Sequence, residues 1–122
     1  MENIIEKVKT FEEAQALTGR NDVPEFSELP EDLREYFKAQ YKAVVITEAL
    51  NEGWRANWED ISQKKWYPWF SVSPSGFVFD VTDDDYSIAF AGNASRLCFK
   101  SEELAEYSGK QFVKIWSEIL NK

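Results

Sequence analysis

Few residues in this chain are equipped for chemistry. Glu59 and Asp60 directly follow Trp58, and two carboxylates beside a ring are the parts of a glycosidase-like acid and base. They sit in the polar stretch 54–65, WRANWEDISQKK, where paired carboxylates are ordinarily solvated, so no catalytic assignment follows. Asp80, Asp83, Asp84 and Asp85 could attract calcium, but the run lacks the glycine and distal glutamate of an EF-hand loop and reads as a solvated turn. Cys98 lies between Leu97 and Phe99 and is expected to be an inert, half-buried thiol. Arg96 and Lys100 on its own strand face would depress its pKa only if water reached it.

The exclusions are firmer. With no histidine, the commonest general base, the commonest metal ligand and every Ser-His or Cys-His nucleophile are gone. A single cysteine rules out a cysteine-based zinc site and an intramolecular disulfide within one chain, which fits a reducing compartment. No glycine pattern matches a P-loop or a dinucleotide fingerprint. The pattern therefore implies no catalytic residue, no metal and no cofactor, and an enzyme has no positive signal.

What remains is aromatic. Residues 65–81, KWYPWFSVSPSGFVFDV, hold two of the five tryptophans and three of the nine phenylalanines. Alternation with period two sorts their neighbourhood into two faces. Phe70, Val72, Phe77, Phe79, Val81, Tyr86, Ile88, Phe90, Leu97 and Phe99 form one apolar face that two amphipathic helices could cover. The opposite face carries Tyr67, Trp69, Val78, Asp80, Ser87, Ala89, Arg96, Cys98 and Lys100. If left open, Tyr67 and Trp69 make a shallow platform for a sugar, a base or a partner's side chain, with Arg96, Lys100 and the nearby Trp58 as further candidate binding residues. The plainer expectation is that Trp54, Trp58 or the N-terminal segment folds over these rings, because large aromatics are usually well buried.

The elements that must position these residues follow from punctuation. Thr10-Phe-Glu-Glu13 has the form of a capping box and predicts a short helix to about Leu17, with Phe11, Ala14 and Leu17 on one side and Gly19 as its left-handed stop. Pro30 in a first turn, the acids Glu31, Asp32 and Glu35, and Gly53 at the far end frame a long helix. Its stripe is Leu33, Phe37, Tyr41, Val44, Val45 and Ala49, and the nearly all-apolar run 43–46 puts its second half at the centre of the fold. Asn57 to Asp60 reads as an Asx turn or one helical turn. Strands are then expected on either side of a hairpin turn at 73–76, with a second turn at 82–85, a strand over 86–91 and a short one over 96–99. Ser101 caps a final helix with an inward stripe of Leu104, Ser108, Phe112, Ile115, Trp116 and Ile119. Gly109 inside it signals a kink or a close backbone approach.

At 122 residues, 43% apolar and 16% aromatic, the chain has the size and composition of one folded domain over 1–122 despite its net charge of -8. Residues 1–37 carry ten acids and four bases, and 66–93 carry four acids and no base. That distribution disfavours nucleic acid, whose binding needs a basic patch, and favours a protein partner of basic character. No run approaches the ~20 apolar residues of a membrane span, and MENIIEKVK has no apolar core of signal-peptide length, so a cytoplasmic location is expected. The pattern sets no oligomeric state.

Four stretches, ITEALNEGWRANWED (46–60), KKWYPWFSV (64–72), SGFVFDV (75–81) and SRLCFKSEELAEYSGKQF (95–112), resemble a family of small uncharacterised proteins from phages and prophages of gut bacteria. The likeness extends to VKTFEEAQALTG (8–19). It implies a phage accessory role in a bacterial cytoplasm and carries over no catalytic residues. The sequence thus predicts an α+β domain: an antiparallel sheet of three or four strands, with a long central helix and a C-terminal helix packed on one face. The function it favours is non-enzymatic binding of another protein. Its alternatives are a small-ligand or saccharide module using the sheet aromatics, or a carboxylate-based enzyme near Trp58.

Overall fold

The computed structural model describes residues 3–73, 76–85 and 96–120, with the side chains of all of these except 72, 73 and 83–85. Thr10 accepts the N–H of Glu13 (3.1 Å) and starts α2 (Phe11–Thr18). The Glu13 carboxylate reaches back to the N–H of Lys9 (3.0 Å), one residue earlier than in the usual reciprocal pair. Gly19 ends the helix with φ 74, a left-handed conformation that side chains resist. Ahead of it lies an element the sequence reading missed, the single turn α1 (Ile4–Lys7), capped by Asn3. Val8 behind it is fully buried, and its carbonyl accepts the Tyr107 hydroxyl (2.6 Å). Burial, with a smaller push from Glu13, holds that phenol above its usual pKa.

Pro30 caps α3 (Glu31–Asn51) from outside its first turn, one residue before the position expected. The second half of α3 is central, as its composition predicts: Ala43, Val45, Ile46, Ala49 and Leu50 are buried. The first half of the expected stripe is not: Leu33 and Phe37 stay exposed, although the Phe37 ring meets Phe26 of the preceding loop (centroids 5.9 Å). The stop is a left-handed pair, Glu52 and Gly53.

Ser101 caps α4 (Glu102–Gln111) by accepting the N–H of Leu104 (3.3 Å). The single C-terminal helix expected from the sequence is two, since the backbone breaks at Phe112 before α5 (Val113–Leu120). Gly109 is not the site of the break. A Cβ there would lie 2.9 Å from Pro68 Cβ and against the Phe79 ring, so glycine lets α4 touch the hairpin.

The chain is α+β, and the described sheet is an antiparallel pair, β1 (Lys65–Ser73) and β2 (Gly76–Asp85). Phe99 adds one bridge to Trp66, its N–H donating to Trp66 O (2.6 Å) and its carbonyl accepting from Trp66 N (3.0 Å). Residues 96–99 otherwise form a turn rather than the expected strand, and the strand expected over 86–91 lies outside the described residues. The turn expected at 82–85 is instead strand: Thr82 and Asp83 pair with Pro68 and Tyr67, and Asp85 pairs with Lys65. The layering also differs from expectation. α4 lies against both strands, whereas α3 packs mainly on α2, α5 and α4, so the hairpin and the long helix sandwich the C-terminal helices.

Candidate functional site

Period two in β1 turns Trp66, Pro68 and Phe70 toward the helices and Tyr67, Trp69 and Ser71 away from them. Phe70 meets Phe77 (centroids 4.7 Å), Phe79 (6.3 Å) and Trp116 (5.8 Å), so most of the ring cluster is core. β2 departs from strict alternation. Trp69 pairs with Val81 and Phe70 with Phe79, leaving Asp80 as the extra residue of a β-bulge. The bulge moves Val81 from the face expected of it to the outer one, and Thr82 to the helix side, where its hydroxyl bonds Glu102 (3.1 Å).

Part of the outer face is exposed. Trp69, Val78 and Val81 are 49%, 59% and 51% exposed, and Trp69 stacks on Tyr67 with centroids 6.3 Å apart and planes 24° from parallel. Asp80 stands at its edge, accepting from Ser71 Oγ (3.1 Å). Of the segments expected to cover this face, Trp58 covers only its Lys65 end, with the Lys65 ammonium 5.0 Å from the indole centroid. The N-terminal segment is tied to α4 through Val8 to Tyr107 and Lys9 to Gln111, and Trp54 and Trp58 gather at the end of α3.

That second gathering is a cleft of about 180 Å³ lined by Thr47, Glu48, Trp54, Arg55, Trp58 and Arg96, among others. The Gly53 stop turns the chain back along α3, and the 96–97 turn brings Arg96 to the same place. Arg20 forks onto Glu48, with Nε to Oε2 at 2.6 Å and Nη2 to Oε1 at 3.2 Å. This hydrogen bonding holds the Glu48 carboxyl below the usual carboxylate range, and Arg96 and Arg55 add to the effect through space. Thr47, only 2% exposed, has a buried hydroxyl without a hydrogen-bond partner among the described residues. The sequence does not single out Thr47 and Arg55, and it offers Trp54 only as a cover for the sheet rings; the signal is two rings and a cation, WRANW, directly after a helix stop.

The candidate binding residues thus divide. Trp58 and Arg96 share the cleft, Tyr67 and Trp69 share the hairpin face, and Lys100 belongs to neither: its ammonium pairs with Glu52 (3.4 Å). Asn57 and Asp60 form consecutive Asx turns, Asn57 Oδ1 accepting from Glu59 N (3.0 Å) and Asp60 Oδ1 from Ser62 N (2.9 Å) and Oγ (2.6 Å). The Ser62 bonds hold the Asp60 carboxyl below its usual pKa, so it is a turn-former kept ionised and ill suited to act as a general acid. Cys98 is fully buried rather than half-buried, beyond the reach of water. Lys65, 1% exposed, holds the same loop by donating to Asp60 O (3.2 Å) beneath the Trp58 ring (5.0 Å to its centroid).

Among the described residues no three His, Cys, Asp or Glu side chains converge as metal ligands, and no helix is long and apolar enough to cross a membrane. No family model, no curated protein and no solved structure matches the chain.

Proposed function

We propose that the chain is a non-enzymatic binding module, a phage or prophage accessory protein of the bacterial cytoplasm, that engages a basic protein partner through the outer face of the β1–β2 hairpin. The observation that carries this reading is Trp69, half exposed, stacked on Tyr67 and paired across the strands with an equally exposed Val81. A rigid indole beside a second ring supplies large contact area with little side-chain entropy to lose, the property that enriches tryptophan and tyrosine at interfaces. Charge selects the partner's chemistry: residues 66–93 bring four acids and no base to this part of the chain, so an apolar side chain flanked by lysine or arginine is the complementary shape. The same charge repels phosphate.

Capture from host lysate at low salt, with wild type, Trp69→Ser and the double variant R55Q/R96Q side by side, tests the reading. A partner should be held by wild type and by R55Q/R96Q, lost with Trp69→Ser, and released from wild type as salt rises to about 0.5 M. Capture of the same proteins by Trp69→Ser and wild type would refute the assignment to this face.

A further inference from the structure

The cleft at the end of α3 is chemically the opposite of the hairpin face. It is lined by Trp54 and Trp58 and by Arg55 and Arg96, with the helix residues Thr47 and Glu48 beside them. Arg20 already neutralises Glu48 through two hydrogen bonds of 2.6 and 3.2 Å. Arg55 and Arg96 act on that carboxylate only through space, without a hydrogen bond to it, in a chain whose net charge is -8. The carbonyl end of α3 is partly capped by its own turn, Glu52 N–H donating to Ala49 O (3.2 Å) and Trp54 N–H to Asn51 O (3.0 Å), which blunts the negative field it would otherwise add.

Each feature selects for the same ligand chemistry. Guanidinium groups present forked donors that match the oxygens of a carboxylate or phosphate, and indole faces stack on planar rings. The volume, about 180 Å³, falls below the ~300–1,000 Å³ of sites for drug-sized ligands, which points to a single ring rather than a nucleotide. We infer that this cleft binds a small aromatic oxyanion, its ring against Trp54 and Trp58 and its carboxylate or phosphate on Arg55 and Arg96.

Titration of the isotope-labelled full chain, reading the indole N–H signals of Trp54 and Trp58 in solution, tests this with three probes: benzoate, phenyl phosphate and the neutral benzamide. Benzoate or phenyl phosphate should shift both signals to saturation below about 10 mM, and which of the two binds tells a carboxylate site from a phosphate site. Benzamide should not saturate. R55Q and R96Q, both at exposed positions, should keep the remaining spectrum and bind about ten-fold or more weakly. The inference is overturned if neither anion saturates, if benzamide binds as well as benzoate, or if both arginine variants bind like wild type.

Discussion

Asn51, the last residue of α3, is buried and bonded on both sides of its amide: Nδ2 donates to Cys98 O (2.9 Å) and Oδ1 accepts from Lys100 N–H (3.1 Å). It pins the segment that carries Arg96 and the Phe99 bridge to the long helix. Truncation to alanine strands a buried carbonyl and a partly buried N–H, so Asn51→Ala should lower stability by about 2–4 kcal/mol. Urea unfolding would show it as a lower midpoint at an unchanged slope. A second residue-scale effect depends on pH. Because Arg20 depresses the folded-state pKa of Glu48, the stability this pair contributes is complete above the unfolded carboxylate value and is lost as pH falls through the folded one. The gap in unfolding free energy between wild type and Arg20→Gln should therefore be widest near neutral pH and narrow as acid takes the solution below the ordinary carboxylate range, measured in urea at several pH values. Neither device could be read from the sequence. Asn51 looks like one more polar residue near a helix end, and Arg20 and Glu48 lie in different elements joined only by tertiary packing. Lys65 is the extreme case, a lysine inside the structure at a position where composition predicts solvent.

At the scale of elements, local punctuation carried furthest where a cap or stop is made by adjacent residues. Thr10, Gly19, Gly53 and Ser101 act where their types predict, because their bonds close within a few residues. Alternation was a good guide to Phe70, Phe77 and Phe79 and failed at Val81, since one extra residue at Asp80 shifts the remainder of β2 by one position relative to strict alternation. The two candidate surfaces differ in the same way. Tyr67 and Trp69 are two apart in one strand and were legible; the cleft needs Arg96 from a distant turn and was not. Gly109 shows a tertiary contact registering in sequence as an oddity. Alanine there would gain about 1 kcal/mol in helix propensity and would drive a methyl into Pro68, held in β1, and the Phe79 ring, an overpacking of about 1–3 kcal/mol. Gly109→Ala should be less stable than wild type by up to about 2 kcal/mol in thermal or urea unfolding. A stabilised variant would mean that α4 stands farther from the hairpin.

At the scale of the whole molecule, one helical core supports two surfaces of opposite charge. Segment counts of acids and bases foreshadowed the acidic hairpin, but a local pair of cations is invisible in a chain with 22 acids and 14 bases. Both surfaces carry tryptophan, which makes their fields measurable. The acidic face should draw a cationic quencher to Trp69, and Arg55 and Arg96 should draw an anionic one to Trp54 and Trp58, while Trp116 is buried from either. The most direct test of an open, acidic ring platform is therefore fluorescence quenching by caesium and by iodide in wild type and Trp69→Phe. The variant should lose the largest share of caesium quenching and keep its iodide quenching. If Trp69→Phe is quenched by caesium as strongly as wild type, Trp69 is covered and the hairpin face is not a docking surface.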